Sequence, residues 1–233
     1  MATVRLPGGP TLSYQEWGRP DGAVVLMLHG LGSSGASWRH VGPVIGEGFR
    51  VIAPDARGHG SSDWTRAYSF DLMRDDVVGL MDGLGILGAI VVGHSMGALT
   101  AYRLAATRPE LIRLLVLEEI PPPDPAKPPR PIPRQPEPDA DHDWRAVIAV
   151  RRWRNDPPKD WWHLAAQIPS KTLVIGGSRS YLPQPRLKEL SQRIPNGTFT
   201  SLDRGHVIHE ERPSEFLQVV EPFISWFRKS GNS

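Results

Sequence analysis

The sequence predicts an α/β fold, a mostly parallel central sheet of about eight strands with helices on both faces, and three observations predict it. Short, continuously apolar runs that end in Gly or Pro recur along the chain, as strands buried on both faces require. Segments with helical periodicity alternate with these runs, which implies parallel strands joined by right-handed crossovers. At 233 residues the chain is long enough to bury a substantial core. We therefore expect one domain over residues 1–233.

The elements follow in order. Thr3 to Leu6 and Thr11 to Trp17 flank the turn-rich PGGP and predict an opening hairpin. The runs AVVLMLHG (Ala23 to Gly30), RVIAPDARG (Arg50 to Gly58), AIVVGHS (Ala89 to Ser95), IRLLVLEE (Ile112 to Glu119) and KTLVIGG (Lys171 to Gly177) predict buried strands, and GTFTSLD (Gly197 to Asp203) a weaker one. Between them Ser37 to Ile45, Ser69 to Leu84, Met96 to Arg108, Gln184 to Arg193 and Ser214 to Arg228 predict helices. One excursion, residues 121–170, breaks the alternation. From Pro121 to Pro138, 10 of 18 residues are proline, which excludes regular helix or central strand. DWRAVIAVRRWRND and DWWHLAAQI then predict short helices. The excursion leaves after one strand and returns at the next, so it is expected to form a Pro/Trp-rich cap over the sheet's C-terminal edge, where open α/β sheets bind ligands. Of Trp144, Trp153, Trp161 and Trp162, one or two are expected to reach a pocket, and the basic RRWRND run reads as a solvated face.

Composition bounds the function. Lys plus Arg outnumber Asp plus Glu by 27 to 25 with no long block of either sign, which gives no reason to expect a nucleic acid or membrane partner. The absence of cysteine excludes disulfides, thiolate chemistry and Cys metal sites. The first residues lack the apolar core of a signal peptide, and no apolar run approaches the roughly 20 residues of a spanning helix. The expectation is a soluble cytoplasmic protein acting on a small molecule with an apolar acyl or aromatic part, without metal or organic cofactor; its oligomeric state is left open.

The chemistry is expected at Gly93-His94-Ser95-Met96-Gly97, where an apolar strand turns directly into a helix. Strand, Gly-x-Ser-x-Gly and helix is the pattern of a nucleophile elbow, which exposes a serine hydroxyl at the tip of a tight turn. A serine needs a base, and the base an orienting partner. The Gly-rich LHGLGSS after the strand ending at Leu28 can bring the Leu31 N–H towards a developing oxyanion. The second donor would be the N–H of Met96, at the start of the helix. Of the eight histidines, His29, His40, His59 and His94 precede Ser95, while His142 and His163 lie in the excursion. His206 and His209 remain in the expected Ser, acid, His order, and His206 follows the last strand directly. His209 is expected to support the loop; His29 and His94 read as packing or hydrogen-bonding residues.

LHGLGSS, VIAPDARGHGSSD, VVGHSMGALTAYRLA and DRGHVIHEERP together resemble the successive signatures of the α/β-hydrolase superfamily, within it the small esterase and non-haem haloperoxidase type. The resemblance implies Ser95 as nucleophile, His206 as base, and Asp55 and Arg57 as loop-holding residues. It departs at the acid. The superfamily's usual Asp follows the strand corresponding to TLVIGG, where this chain reads GGSRSYLP with Ser180 at that position. The preceding strand ends in VLEEIPP, so a carboxylate moved across one strand is available: Glu119 aligns best, Glu118 is the alternative and Asp203 a third. The implied activity is cleavage of a carboxylic ester, thioester or lactone through an acyl-enzyme on Ser95. The alternatives are a catalytically weak ligand-binding protein and a non-hydrolytic enzyme such as a perhydrolase, lyase or cyclase.

Overall fold

A computed structural model describes residues 1–124, 127–135 and 140–230 of the chain. Its centre is an eight-stranded sheet of β1 (Ala2–Arg5), β2 (Thr11–Gly18), β3 (Val24–Leu28), β4 (Arg50–Pro54), β5 (Ala89–His94), β6 (Ile112–Glu118), β7 (Lys171–Gly177) and β8 (Gly197–Leu202). The spatial order is β1-β2-β4-β3-β5-β6-β7-β8. The hairpin strands β1 and β2 pair antiparallel, as do β2 and β4; every later pairing is parallel.

Side chains alternate across the parallel strands, so each face has its own apolar layer. Val91, Leu115, Leu117 and Val174 pack with Leu80, Leu99 and Tyr102 of α2 (Phe70–Gly83) and α3 (Met96–Thr107). Ile90, Val92, Leu114 and Val116 face the other way, against Ile45, Phe216 and Val220 of α1 (Gly42–Gly46) and the C-terminal helix Pro213–Ser230. The helix expected over Ser37 to Ile45 is two pieces, a 3-10 turn at Gly35–His40 followed by α1. Pro43 is the reason: it has no N–H to continue the first piece but fits the opening turn of the second.

Register brings the chemistry-bearing residues to one edge. His94 lies opposite Glu118 across β5 and β6, and Glu118 lies opposite Ile175 across β6 and β7. Ser95, the two glutamates and the loop after Gly177 therefore sit side by side at the C-terminal ends of the parallel strands. The loop after β8 returns to this edge through α7 (Ile208–Glu211), after α6 (Gln184–Arg193) has joined β7 to β8; the C-terminal helix is α8.

The excursion between β6 and β7 carries α4 (Trp144–Asn155) and α5 (Trp161–Ala165). Pro125, Pro136 and Pro138 of its proline-rich stretch lie outside the described residues. The described part of the excursion is tied down by polar contacts. The Arg130 backbone is clamped by the Asn155 side chain, with N–H to Oδ1 at 2.7 Å and Nδ2 to carbonyl at 2.9 Å. The Tyr68 hydroxyl donates to Asp143 at 2.8 Å, and the Tyr102 hydroxyl donates to the Trp161 carbonyl. Among the described residues no helix is long and apolar enough to cross a membrane.

Candidate active site

Ser95 stands at φ 51° and ψ −106°, a left-handed conformation that costs a non-glycine residue energy. The flanking glycines permit it. A Cβ on Gly93 would lie 2.6 Å from the Gly97 carbonyl oxygen, and one on Gly97 would lie 2.2 Å from that of Leu28, so no side chain fits at either. The turn leaves the half-buried Ser95 hydroxyl facing the strand edge and begins α3 at Met96, whose N–H sits in the unsatisfied first turn. Leu31, in the loop after β3, lines the same cavity as Ser95 and Met96.

Across from the serine, His206 Nε2 is 3.1 Å from Ser95 Oγ, and His206 Nδ1 is 2.8 Å from Glu119 Oε2. Of the carboxylates considered from the sequence, Glu119 is the one on the imidazole. Its side chain is fully buried yet well supplied with donors. Oε1 accepts from the Gly177 N–H at 2.7 Å and from Gln184 Nε2 at 3.3 Å, and Oε2 accepts from the Ser180 hydroxyl. Glu119 itself has φ 49°. The chain thus twists abruptly beyond β6, and two adjacent glutamates approach two different histidines.

Glu118 approaches the second. Its Oε2 is 2.7 Å from His209 Nδ1, while Oε1 accepts the backbone N–H of Ile208 at 2.9 Å and of His209 at 3.0 Å, closing the first turn of α7. Burial pushes the Glu118 carboxyl up, but its electrostatic interactions with His209 and His94 and the hydrogen bonds from His209 outweigh it and hold the group below its ordinary value. His94 completes the support by donating from Nε2 to the His206 carbonyl at 2.9 Å. Burial lowers His94 to about 3, which keeps it neutral. Together Glu118, His209 and His94 fix the backbone that carries His206.

The remaining candidates have other partners. Asp203 is exposed and engages Ser178 and Arg179. His29 accepts the Ala56 N–H at Nε2 (2.9 Å) and donates from Nδ1 to the Gly30 carbonyl (2.7 Å), and burial lowers it to about 4. Asp55 accepts from the Gly35 and Ser61 N–H groups, and Arg57 is buried against Asp76. Among the described residues no group of three or more His, Asp or Glu could hold a metal ion.

A cavity of about 250 Å³ opens on the serine. Gly30, Leu31, Ser95, Met96, Leu99 and His206 form its floor, and Pro121, Arg130, Val150, Arg151 and Arg154 reach it from the excursion. No tryptophan is among its described lining residues, contrary to expectation. Trp161 is buried and stacks on Tyr102 at 4.8 Å, Trp153 packs edge-on against Phe70 at 5.1 Å, and Trp162 meets Trp161 at 4.7 Å. The rotation of α4 decides this: one face sends Trp153 to the core, while Val150, Arg151 and Arg154 share the face towards Ser95. The RRWRND run is thus solvated only in part, with Arg152 exposed.

Tyr181 was not singled out by the sequence. Its hydroxyl is 3.2 Å from His206 Nε2, the nitrogen that also faces Ser95. Only its place next to Ser180, at the position of the missing acid, could have pointed to it.

Known proteins share this arrangement of strands. The sequence model for the α/β hydrolase fold matches residues 23–150. An AB hydrolase superfamily protein of Bacillus subtilis is 40% identical over 119 residues, 49% of this chain and 42% of that protein, so the matched part spans less than half of that relative's length. An sn-1-specific diacylglycerol lipase of Mus musculus is 25% identical over an alignment of 247 residues that covers 86% of this chain and 80% of the lipase. The crystal structure of an enol-lactonase from Burkholderia xenovorans superposes with a TM-score of 0.83 at 23% identity, covering 96% of this chain and all (100%) of the other, a likeness of fold. With its strand order, its serine turn and a family match over more than half its length, the chain belongs to the α/β-hydrolase fold family.

Proposed function

We propose that this protein is a serine hydrolase that cleaves a carboxylic ester, thioester or lactone through an acyl-enzyme on Ser95. The observation that carries the reading is the relay of Ser95 Oγ, His206 and Glu119 at 3.1 Å and 2.8 Å, with the serine held on a strained turn. In this reading Ser95 Oγ attacks the carbonyl carbon as its proton passes to His206 Nε2. Glu119 holds the ring with Nδ1–H towards it and stabilises the imidazolium that forms. The negative oxygen is received by the N–H groups of Leu31 and Met96, aided by the N-terminal end of α3. His206 then gives its proton to the departing alkoxide or thiolate, and the acyl group remains on Ser95. A water, deprotonated by the same nitrogen, attacks the acyl carbon; collapse releases the acid and returns the proton to Ser95.

The hydrolase names of relatives agree with this reading, and the diacylglycerol lipase and enol-lactonase both act at acyl–oxygen bonds by their names. Other relatives are named epoxide hydrolases; the hydroxyl at the turn in this chain favours acyl transfer. We read residues 121–170 as a cap on one hydrolase domain, since Arg130, Val150, Arg151 and Arg154 roof the cavity over Ser95. A fluorophosphonate probe with peptide mapping tests the proposal. Rapid labelling of Ser95, and a burst of p-nitrophenol from p-nitrophenyl acetate, are expected. Absence of labelling in folded protein would refute it in favour of a binding protein on the same scaffold.

A further inference from the structure

The roof of the cavity is cationic. Arg130, Arg151 and Arg154 all line it, and none takes part in an ion pair among the described residues. Glu210, a carboxylate on the lining, faces Arg39 at 3.9 Å. Two of the arginines are gathered on one side chain. The Arg130 guanidinium lies 5.0 Å from the Tyr181 ring centre, and Arg154 interacts electrostatically with Tyr181, whose hydroxyl reaches His206 Nε2 at 3.2 Å. A fourth cation joins them: Lys127 Nζ donates to the Tyr181 carbonyl at 2.6 Å and lies 5.9 Å from its ring.

Like charges held together at a partly desolvated site repel, and burial with the nearby Arg130 and Arg151 pushes the Arg154 guanidinium below its ordinary value. A bound anion removes that repulsion. The planar, fixed donors of arginine suit a carboxylate, which accepts two parallel N–H bonds from one guanidinium. Arg130 lies over the Tyr181 ring, the Tyr181 hydroxyl reaches His206, and the three arginines line the same cavity as Ser95, so an anion held there shares that cavity with the reacting serine. Resting on the serine-hydrolase reading, we propose that the substrate is an ester or lactone bearing a second, ionised carboxylate, held by Arg130, Arg151 and Arg154 while Ser95 attacks the acyl carbon.

The test compares kcat/KM at low ionic strength within two matched pairs. Monomethyl adipate against methyl hexanoate places the charge on the acyl side, and 4-acetoxybutanoate against butyl acetate places it on the alcohol side. At least one pair should favour the anionic member by about tenfold or more, mainly through KM, with the preference shrinking as salt rises. The Arg151→Gln, Arg154→Gln variant should lose that preference and Arg151→Lys, Arg154→Lys should keep part of it. Free adipate should inhibit p-nitrophenyl acetate hydrolysis by the unaltered protein competitively, a readout that needs no variant to fold. Equal or reversed preference in both pairs, or a preference that survives in the glutamine variant, would overturn the anion site while fluorophosphonate labelling still upheld the serine hydrolase. No labelling and no turnover of any of these esters would overturn both.

Discussion

Two glutamate–histidine pairs lie next to each other beyond β6, Glu119 with His206 and Glu118 with His209, and what differs is where each imidazole's second nitrogen points. His206 turns Nε2 to Ser95 and the cavity. His209 is fully buried, its ring stacks on Trp38 at 3.9 Å, and its Nε2 has no hydrogen-bond partner among the described residues. The carboxylate–imidazole contacts are nearly the same length, 2.8 and 2.7 Å. A short carboxylate contact therefore does not make a histidine a base; access to a nucleophile and to solvent does. The inner pair instead ties the His206 loop to the sheet, because Glu118 also accepts the N–H groups of Ile208 and His209.

The largest effects should fall on the outer pair's partners. Ser95→Ala and His206→Ala are each expected to lower ester turnover by about 10⁴-fold or more, since in the proposed mechanism neither the nucleophile nor the proton carrier has a substitute. Stability should change less, because both side chains face the cavity and Glu119 keeps its Gly177, Ser180 and Gln184 donors when His206 is removed. His209→Ala should do the opposite, losing several kcal/mol of stability with much of the residual folded activity retained, as expected for a void under Trp38 and an unpaired buried carboxylate. Exchange of these two phenotypes, read by burst kinetics and urea unfolding, would exchange the roles.

The acids come next. Glu119→Gln should reduce kcat by about 10² to 10⁴-fold with KM little altered, because an amide cannot stabilise the imidazolium. Glu118→Gln should act on folding, destabilising by about 3–5 kcal/mol as one half of a buried pair is neutralised. Adding Ser180→Asp to Glu119→Gln should restore part of the rate, since the Ser180 hydroxyl already touches the carboxylate that holds His206. If Glu118→Gln lowers kcat as much as Glu119→Gln does in fully folded protein, the distinction between the pairs fails.

These contrasts also mark what a sequence can show. Strands β3 to β7, the serine turn and the histidine after β8 are local patterns of apolar runs, glycines and chain order, and they could be read directly. Ser95 and His206, read that way, meet in space with Glu119, which the resemblance favoured over Glu118 and Asp203. The separate tasks of Glu118 and Glu119 follow from the left-handed turn at Glu119, which neighbouring letters do not encode. The arginines of α4 and Tyr181 depend on how a helix and a loop are rotated against the sheet, a tertiary choice made by Trp153 seeking the core and by Tyr102 anchoring Trp161. The i, i+3 spacing of Arg151 and Arg154 puts them on one face of a helix, but does not say which way that face turns.

A pH titration separates the supporting histidines from the carboxylates. His29, His59 and His94 are buried and lowered chiefly by that burial from 6.5 to about 4, 3 and 3. Below pH 6.5 the unfolded chain takes up protons at these positions and the folded chain does not, so stability must fall as pH drops, by about 1.4 kcal/mol per unit for each histidine. That loss continues to about pH 3–4, where the folded forms also titrate. Glu118 is lowered too, but from a lower starting point, so its contribution is intact above 4.5 and is lost as pH falls from there through its lowered folded value. Urea unfolding at pH 7, 6 and 5 should thus show a decline before the carboxylates matter; a flat profile over that range would mean the three imidazoles are not held neutral.

The smallest predicted effect lies at His206 itself, where two hydroxyls compete. With Nδ1–H directed to Glu119, the neutral imidazole has one acceptor lone pair, at Nε2, and both Ser95 at 3.1 Å and Tyr181 at 3.2 Å approach it. A hydrogen bond from Tyr181 holds the base in a state that cannot take the serine proton. Net hydrogen-bond energies of about 0.5–1.5 kcal/mol set the scale of that competition. Tyr181→Phe keeps the ring beneath Arg130 and removes only the hydroxyl, so acylation by a neutral ester such as p-nitrophenyl acetate should speed up about two- to tenfold, with Ser95 labelling by fluorophosphonate accelerated to match. The same substitution alters the surroundings of the cationic cluster at Tyr181, which makes the neutral ester the proper reporter. A slower variant would show that the Tyr181 hydroxyl assists the reaction, placing it with Glu119 as a partner of His206 rather than a rival of Ser95.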